Sequence, residues 1–318
     1  LRNINKSLKD LPMVSVVIPT HNRKEKLTRL IKSILESDYP KDKLEIIVID
    51  DASTDGTYER VKKLFLQVKI IRNDNEKLVS ESRNIGIKIS RGKYIFLIDD
   101  DNVVAKNAIK ELVKFMEEHS EVGVAGPIMY FLKDPSRIWC AGVKRNYWIT
   151  TTKFVGFNTR DSSRYKEPCE SEDFPNAFMV RREVFEKIGL FNSKIFPIQY
   201  EEGDFCQRVK RSKYKVMVVP TAKVWHDIPL PEQIRTWTRR LNSPLRAYCI
   251  ARNRVLFHTL WSRNALQRVV AILASIIISI YYIVMTLRYS SDNRHVVIKS
   301  IIKGIIDAFK LIKKVASH

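Results

Sequence analysis

The sequence lacks the cysteine and glycine patterns that mark several large protein classes. Its four cysteines lie far apart in 318 residues and form no C-x-x-C pair, which argues against a zinc site and against a disulfide framework. It contains neither a G-x-G-x-x-G segment nor a P-loop, so a dinucleotide-dependent oxidoreductase and a P-loop NTPase are not supported. The first residues are polar, without the apolar core of a signal peptide. We therefore expect a protein of the reducing cytosol.

Acidic residues are scarce in the C-terminal part of the chain. From residue 205 onward the sequence holds four Asp and Glu against 21 Lys and Arg, while the whole chain carries a net charge of +21. This excess of positive charge indicates an anionic partner, such as nucleic acid, nucleotide phosphates or a membrane surface. The basic segments lack the interleaved aromatic residues of a nucleic-acid-binding module. We therefore expect no nucleic-acid partner.

Short apolar runs alternate with helical patterns in the first part of the chain. The runs are rich in β-branched residues and predict buried strands; they are "VSVVIP", "LEIIVIDD", "VKII", "YIFLIDD" and "VGVAGP". Helical patterns between them predict a parallel α/β sheet with helices on both faces. Residues 130–180 are less regular and predict mixed strands and loops. Ligands of such sheets bind beyond the carboxyl ends of the strands, where Asp50–Asp51 and Asp99–Asp101 fall.

Three consecutive aspartates follow the apolar strand "YIFLI". Burying a carboxylate is costly unless it is paired or binds a cation. Acids clustered at a strand end suit a hard cation with oxygen ligands, either Mg²⁺ or Mn²⁺. A D-x-D pattern alone is a weak signal because most acidic loops are simply solvated. Its position at a strand end makes a metal or ligand site the favoured interpretation.

Longer segments make the interpretation specific. "VSVVIPTHNR", "VIDDASTDGT" and "SRNIGIKISRGKYIFLIDDD" are followed by "NAFMVRREVFEKIGLFN", "YEEGDFCQRVKRSKYKVMVVPTAKVWH" and "ARNRVLFH". In this order and spacing they resemble the inverting glycosyltransferases of family 2 over residues 12–258. The resemblance implies a GT-A fold, a Rossmann-like mixed sheet with helices on both faces that binds a nucleotide sugar. We expect this catalytic domain over residues 12–230.

The resemblance also implies which residues bind the donor and a metal. Donor contacts are expected from Pro19, Thr20, Asn22, Asp51, Arg83, Asp99 and Asp100. A Mn²⁺ or Mg²⁺ cofactor would be held by Asp99, Asp101 and His226. Two alternatives stay open, since Asp51 could instead cap a helix and His226 could be structural. Asn84 and Gly86 are expected to serve mainly in helix packing.

The segment "YEEGD" matches the acidic acceptor-side motif of the family. Glu202 then stands where the family has its catalytic Asp and would take the proton from the acceptor hydroxyl. Because Glu has one more methylene than Asp, Glu201 or Asp204 could carry the role instead. Glu in place of Asp is one departure from the family pattern. A second lies in "NDNEKLVS", where family members often have a glycine soon after the Asn.

The C-terminal part predicts contact with a membrane. Residues 269–287 carry no charge, nearly the length that spans a bilayer, and a Lys-rich amphipathic pattern follows at 298–314. We expect a basic amphipathic helical linker over 231–264 and membrane-associated helices over 265–318. The alternatives are a buried core helix and a helix that packs on its own domain. Both flanks are basic, so the positive-inside rule does not decide between a spanning and an in-plane helix.

These expectations combine into one function. The protein would move a sugar from a nucleotide diphosphate sugar, with GDP-mannose slightly favoured by the resemblance, to a hydroxyl of a glycolipid or lipid-linked glycan. It would do so at the cytoplasmic face of the cell membrane, with anionic lipids as partners and oligomeric state left open. The alternative is a polyprenyl-phosphate glycosyltransferase similar to dolichol-phosphate mannose synthase. A phosphate acceptor needs no strong base, so a functional Glu202 argues against that alternative.

Overall fold

This computed structural model describes residues 11–160, 163–233, 243–289 and 293–316. In this part of the chain the strands are β1 (Val14–Thr20), β2 (Leu44–Asp50), β3 (Lys69–Arg72), β4 (Tyr94–Ile98), β5 (Asn102–Val104), β6 (Val122–Phe131), β7 (Asp134–Cys140), β8 (Val143–Asn146), β9 (Thr151–Phe154), β10 (Cys169–Glu170), β11 (Ala177–Arg181) and β12 (Lys215–His226). The helices are α1 (Lys24–Leu35), α2 (Thr57–Leu64), α3 (Leu78–Ile89), α4 (Ala108–Glu118), α5 (Arg182–Ile188), α6 (Glu201–Arg211), α7 (Pro244–Leu260), α8 (Ala265–Tyr289) and α9 (Arg294–Ala316).

The main sheet is mixed, and its longest path runs β10-β12-β6-β11-β4-β1-β2-β3. Strands β4, β1, β2 and β3 are parallel, as the alternating pattern predicts. Strand β11 lies antiparallel between β4 and β6, and β12 runs parallel to β6. The carboxyl ends of β1, β2 and β4 therefore meet at one edge of the sheet, where the acids follow them.

Burial explains why these segments form strands and helices. All residues of β1 and β4 are buried, so an unbroken apolar run suits them. Helix α1 buries one stripe of side chains, including Leu27, Leu30 and Ile34, against the sheet. Helix α3 approaches β1 so closely that a Cβ on Gly86 would lie 2.3 Å from Val17 Cγ1. Its Asn84 exchanges two hydrogen bonds with the backbone of Phe191, which confirms a packing role for both residues.

Strand β12 is longer than the sequence pattern indicates. It joins the two segments "KVMVVP" and "KVWH" into one strand, with a register irregularity between Val219 and Lys223. Strand β5 pairs with its last residues and places His226 opposite Asn102. This pairing brings the end of β12 beside the aspartates that follow β4.

Helix α7 differs from the amphipathic linker expected over 231–264. Residues 234–242 of that range lie outside the described residues. Within α7 most side chains are buried, including the polar Arg252, Asn253 and His258. The helix packs along α9 and, less extensively, α8. It is therefore an internal helix that joins the C-terminal helices to the segment before α6.

Helix α9 uses most of its apolar face within the protein. Val297, Ile301 and Ala308 are buried, and a Cβ on Gly304 would lie 2.5 Å from the backbone oxygen of Tyr248 in α7. This corresponds to the alternative of a helix that packs on its own domain, because its apolar stripe meets α7. Lys299, Lys303, Lys310 and Lys313 are exposed.

Helix α8 is arranged the other way round. Small or polar side chains face the protein and are buried, namely Gln267, Ala271, Ser275, Ser279 and Thr286. Large apolar side chains face outward and are each more than half exposed, namely Leu266, Val269, Leu273, Ile277, Ile280, Val284 and Leu287. The helix has a mean hydropathy of 2.4 over its most apolar window and is long enough to cross a membrane. It is the one such candidate among the described residues, and length and composition alone are weak evidence for membrane contact.

Candidate active site

Each aspartate that follows β4 has its own set of partners. Asp99 accepts a hydrogen bond from Arg83 Nη2 at 2.7 Å. Asp100 accepts from Thr20 Oγ1 at 2.6 Å and from Arg23 Nη1 at 3.0 Å. Asp101 accepts from the same Arg23 nitrogen at 2.8 Å. Three adjacent acids are tolerated here because cations and a hydroxyl from distant segments meet them.

The pKa values of Asp100 and Asp101 are shifted in opposite directions. Burial raises the pKa of Asp100 to about 7, although Arg23 and Thr20 oppose the shift. Burial also disfavours the charge of Asp101, but the hydrogen bond and charge of His226, with the charges of Arg23 and Lys26, lower its pKa to about 2. At neutral pH Asp101 is therefore the firmly ionised member of this pair.

The expected metal ligands are only partly brought together. Asp101 Oδ1 lies 3.2 Å from His226 Nε2, and Asn176 Nδ2 lies 3.0 Å from the same ring nitrogen. Asp99, however, is directed to Arg83. Within the residues that the structure describes, no three His, Cys, Asp or Glu side chains form a group that could hold a metal ion.

Arg83 lies at the centre of a second cluster. Its side chain is fully buried, and it contacts Asp99, Glu202 Oε1 at 2.9 Å and Glu201 Oε1 at 3.5 Å. One guanidinium thus joins the end of β4 to the start of α6. The sequence predicts Arg83 near the donor phosphates, and in this structure its guanidinium contacts these three carboxylates.

The three acids of α6 have different surroundings. Glu201 is buried, and burial together with the neighbouring charge of Glu202 raises its pKa well above the usual range. Asp204 accepts hydrogen bonds from Arg208 and, at 3.2 Å, from Trp261 Nε1. Glu202 has 16% of its side chain exposed, against 4% for Glu201 and 7% for Asp204. Glu202 is therefore the most accessible of the three carboxylates.

The carboxylate of Asp51 is occupied by the protein itself. It accepts hydrogen bonds from Asn73 Nδ2 and from the backbone nitrogens of Lys77 and Leu78. It thereby holds the entry to α3, and not the start of the helix that follows it in sequence. Leu78 has φ = 67°, a conformation that favours glycine. Asp51 therefore holds a strained leucine in the segment "NDNEKLVS".

The remaining donor-side residues lie at the end of β1. Pro19 is buried within the strand, and Thr20 is occupied by Asp100. Asn22 is exposed, and its Oδ1 accepts from the backbone nitrogen of Thr54 at 2.7 Å. Asn22 therefore joins the loops that follow β1 and β2, beside the edge where the donor is expected.

The segment before α6 is strained, and α7 holds it. Gln199 and Tyr200 both have positive φ, at 67° and 71°, and such residues cluster at functional sites. Asn253 is fully buried and donates to the backbone oxygens of Ile198 and Gln199 at 2.8 Å each. The matched segment "ARNRVLFH" thus acts by fixing the backbone that leads into Glu202.

Sequence reasoning missed a further ion pair beneath α6. Arg145 and Asp173 are both buried and form a salt bridge, and the Arg145 guanidinium lies over the rings of Tyr200 and Phe257. Nothing in the local pattern marks these residues, because Arg145 lies in β8 and Asp173 in the loop that follows β10. A Cβ on Gly203 would lie 3.1 Å from Arg145 Nη2, so a larger residue after Glu202 would press on this ion pair.

The sheet order and the acids at its carboxyl edge define a GT-A-like α/β protein. Solved structures agree on the fold. A mannosyltransferase of Pyrobaculum calidifontis with GDP-Man and Mn²⁺ superposes with a TM-score of 0.58 at 16% identity, covering 96% of this chain and 90% of that one. GalNAc-T7 with UDP, GalNAc and Mn²⁺ gives 0.60 at 20% identity, covering 78% and 52%.

The family model described as glycosyl transferase family 2 matches residues 15–189, and the chain belongs to this family. Two curated relatives are the glycosyltransferase GlyG of Streptococcus pneumoniae, 23% identical over 58% of this chain, and the probable glycosyltransferase YdaM of Bacillus subtilis, 28% identical over 75%. The matches span 62% and 56% of those relatives' lengths.

Proposed function

We propose that the protein is an inverting glycosyltransferase that uses a nucleotide sugar, with Glu202 as the general base. One observation carries this proposal: Arg83 binds the carboxylates of Asp99 and Glu202 with one guanidinium. The donor-side acid at the end of β4 and the acceptor-side acid of α6 are therefore held at a fixed separation. Direct displacement needs this arrangement, with the attacking hydroxyl and the leaving group on opposite sides of the anomeric carbon.

Glu202 takes the proton from the acceptor hydroxyl as its oxygen attacks the anomeric carbon. The bond to the nucleoside diphosphate breaks, and the configuration inverts. Arg83 positions the Glu202 carboxylate by a charge-assisted hydrogen bond at 2.9 Å. Burial and the charge of Glu202 raise the pKa of Glu201, so the two adjacent glutamates do not compete for the same role.

Asp101 and His226 are the residues that would hold a divalent cation, Mn²⁺ or Mg²⁺. An ionised carboxylate oxygen and an imidazole nitrogen 3.2 Å apart suit such an ion. The lack of a third protein ligand among the described residues fits ions that bind one or two side chains and complete their shell with substrate phosphates and water. When bound, the ion would act as a Lewis acid that neutralises charge on the leaving diphosphate.

We propose GDP-mannose as the first donor to test. The Pyrobaculum neighbour contains GDP-Man, and its match covers 96% of this chain and 90% of the neighbour. A TarS structure of Staphylococcus aureus contains UDP-GlcNAc, and its match covers 92% of this chain and 81% of TarS. Thermal unfolding with GDP, UDP and their sugars, with and without Mn²⁺, would identify the nucleotide. A ligand at about 100 times its Kd adds about 2.7 kcal/mol to the free energy of unfolding.

We further propose that α8 lies against the cytoplasmic face of the cell membrane. Its outward apolar face cannot be explained by packing within the described chain, and the exposed lysines of α9 beside it would attract anionic lipid by about 1 kcal/mol each. All four cysteines are free thiols, which suits a reducing compartment. The acceptor would then be a hydroxyl on a glycolipid or lipid-linked glycan.

Liposome flotation tests the membrane proposal. The double variant Leu273→Glu with Ile277→Glu should abolish flotation with anionic vesicles, because both side chains are more than half exposed on α8. Leu66→Glu is the matched control, since Leu66 is 90% exposed at a site away from α8. Equal flotation of the double variant and the control would refute membrane contact through this face.

The alternative enzyme is a polyprenyl-phosphate glycosyltransferase, whose acceptor oxygen is already ionised. The two candidates differ in their need for Glu202. Transfer that survives Glu202→Gln would favour the phosphate acceptor, and transfer that is lost would favour a hydroxyl acceptor.

A further inference from the structure

A cavity of about 300 Å³ lies between the β8–β9 hairpin and the start of α8. It is lined by Arg145, Asn146, Tyr147, Trp148, Arg263 and Gln267. Its size is at the lower end of the range for ligand pockets, about 300–1,000 Å³. It therefore suits a compact head group better than a long glycan chain.

The cavity adjoins the proposed base. Its wall residue Arg145 lies near Gly203, since a Cβ built on that glycine would lie 3.1 Å from Nη2. Gly203 directly follows Glu202 in α6. A molecule seated in the cavity is thus one side chain away from the acceptor side of the active site.

The cavity has an unneutralised positive charge. The charge of Arg145 is balanced by Asp173, but Arg263 is exposed, and no carboxylate in the described part of the chain forms an ion pair with it. None of the described residues that line the cavity is acidic. An arginine fork without a protein partner matches the oxygens of a phosphate.

The surroundings of the cavity are apolar on the side of α8. Trp148 and Ile149 at the hairpin turn are 43% and 53% exposed, and the outward apolar face of α8 begins at Leu266, beside the lining residue Gln267. Arg254 joins the two elements, since it donates to the backbone oxygen of Thr150 and to the Tyr282 hydroxyl. The hairpin is therefore fixed to the helix that carries the apolar face.

We propose that this cavity binds the phosphate of an acceptor in which a phosphate joins the reacting glycan to an apolar chain. Arg263 binds the phosphate oxygens, the apolar chain leaves along α8, and the hydroxyl to be glycosylated extends toward Glu202. The phosphate is recognised here and does not react. This inference rests on the proposed glycosyl transfer and names the chemical class of its acceptor.

Calorimetric titration of the full chain with farnesyl phosphate tests the inference, with UDP and GDP present to fill the donor site. Two control ligands each carry one feature: farnesol has the apolar chain without the phosphate, and inorganic phosphate has no apolar chain. Arg263→Gln should weaken farnesyl phosphate binding by about 10- to 100-fold, the effect of one lost charge-assisted contact. The matched control is Arg288→Gln, which removes one exposed positive charge at the other end of α8 and should leave the affinity unchanged.

The possible results separate the two proposals. Tight binding of farnesyl phosphate that only Arg263→Gln weakens supports the inference. Equal losses of affinity in both variants would show that only general charge attraction is involved and would contradict a specific site at Arg263. Equally tight binding of inorganic phosphate would contradict recognition of the apolar chain. If the protein binds a nucleotide sugar but no farnesyl phosphate, this inference is wrong and the proposed function stands. If it binds no nucleotide sugar, the proposed function itself fails.

Discussion

The acids of α6 allow a sharp test of the proposed chemistry, because three neighbouring carboxylates have three different environments. Glu202→Gln keeps the size of the side chain and an oxygen that can accept from Arg83, but it removes the proton acceptor. We expect turnover to fall by about 10²–10⁴-fold, which corresponds to about 3–5 kcal/mol of barrier. The salt bridge between Arg83 and Asp99, at 2.7 Å, remains in this variant. The free energy of unfolding should therefore change by only about 1 kcal/mol.

The two neighbours should behave differently from Glu202. Burial and the charge of Glu202 favour the neutral form of Glu201, which glutamine resembles. Glu201→Gln should therefore leave turnover within a factor of about three. Asp204→Asn weakens the contact to Arg208 while an oxygen remains for Trp261. It should lower stability by about 1–2 kcal/mol with little effect on turnover.

The assay is release of nucleoside diphosphate from whichever nucleotide sugar stabilises the protein, with unfolding and donor binding measured on the same samples. Donor binding should be unchanged in all three variants, since none of the three acids is expected to contact the nucleotide. An active Glu202→Gln beside an inactive Glu201→Gln or Asp204→Asn would show that the base is assigned to the wrong acid of this segment.

Three further predictions follow from the packing. His258 is fully buried, and neither of its ring nitrogens has a hydrogen-bond partner among the described residues. Burial, together with the charges of Arg145 and Arg254, lowers its pKa to about 3. Below about pH 6.5 the unfolded state therefore binds a proton that the folded state does not. Denaturant unfolding should show the wild type losing about 1.4 kcal/mol per pH unit between about pH 6.5 and pH 3 relative to His258→Phe, and parallel pH profiles would contradict this. Gly86→Ala should cost about 1–3 kcal/mol in thermal unfolding, because its Cβ would meet Val17; unchanged stability would show that α3 can move away from β1. Asn253→Ala should lower turnover while leaving nucleotide binding intact, since it releases the strained backbone before α6; a parallel loss of both would assign Asn253 to the fold alone.

The sequence predicts the parts of the molecule that depend on local pattern. Unbroken apolar runs identify β1, β2 and β4, and parallel strands must bring their carboxyl ends to one edge. The acids at that edge could therefore be placed before any coordinates. Adjacent Asp99, Asp100 and Asp101 also look alike in the sequence, yet the structure gives each a different partner. Those partners come from loops far away along the chain, so no local pattern specifies them.

Amphipathic patterns show the same limit in the C-terminal helices. An apolar stripe predicts that a helix buries one face, but it does not say whether protein or lipid covers that face. In α9 the stripe is largely covered by α7, and glycine and alanine allow the close approach. In α8 the small polar residues face inward and the apolar ones face out. Only the position of the neighbouring helix separates the two cases.

The contacts of α7 connect α8 with the proposed base. Asn253 holds the strained turn before Glu202, while Arg254, the next residue, contacts Tyr282 in α8. At the end of the same helix, Trp261 donates to Asp204 in α6. A shift of α8 on a membrane would therefore be transmitted to both ends of the acidic segment within one helix. The C-terminal helices thus support the candidate active site, and we expect their removal to disturb catalysis even toward a soluble acceptor.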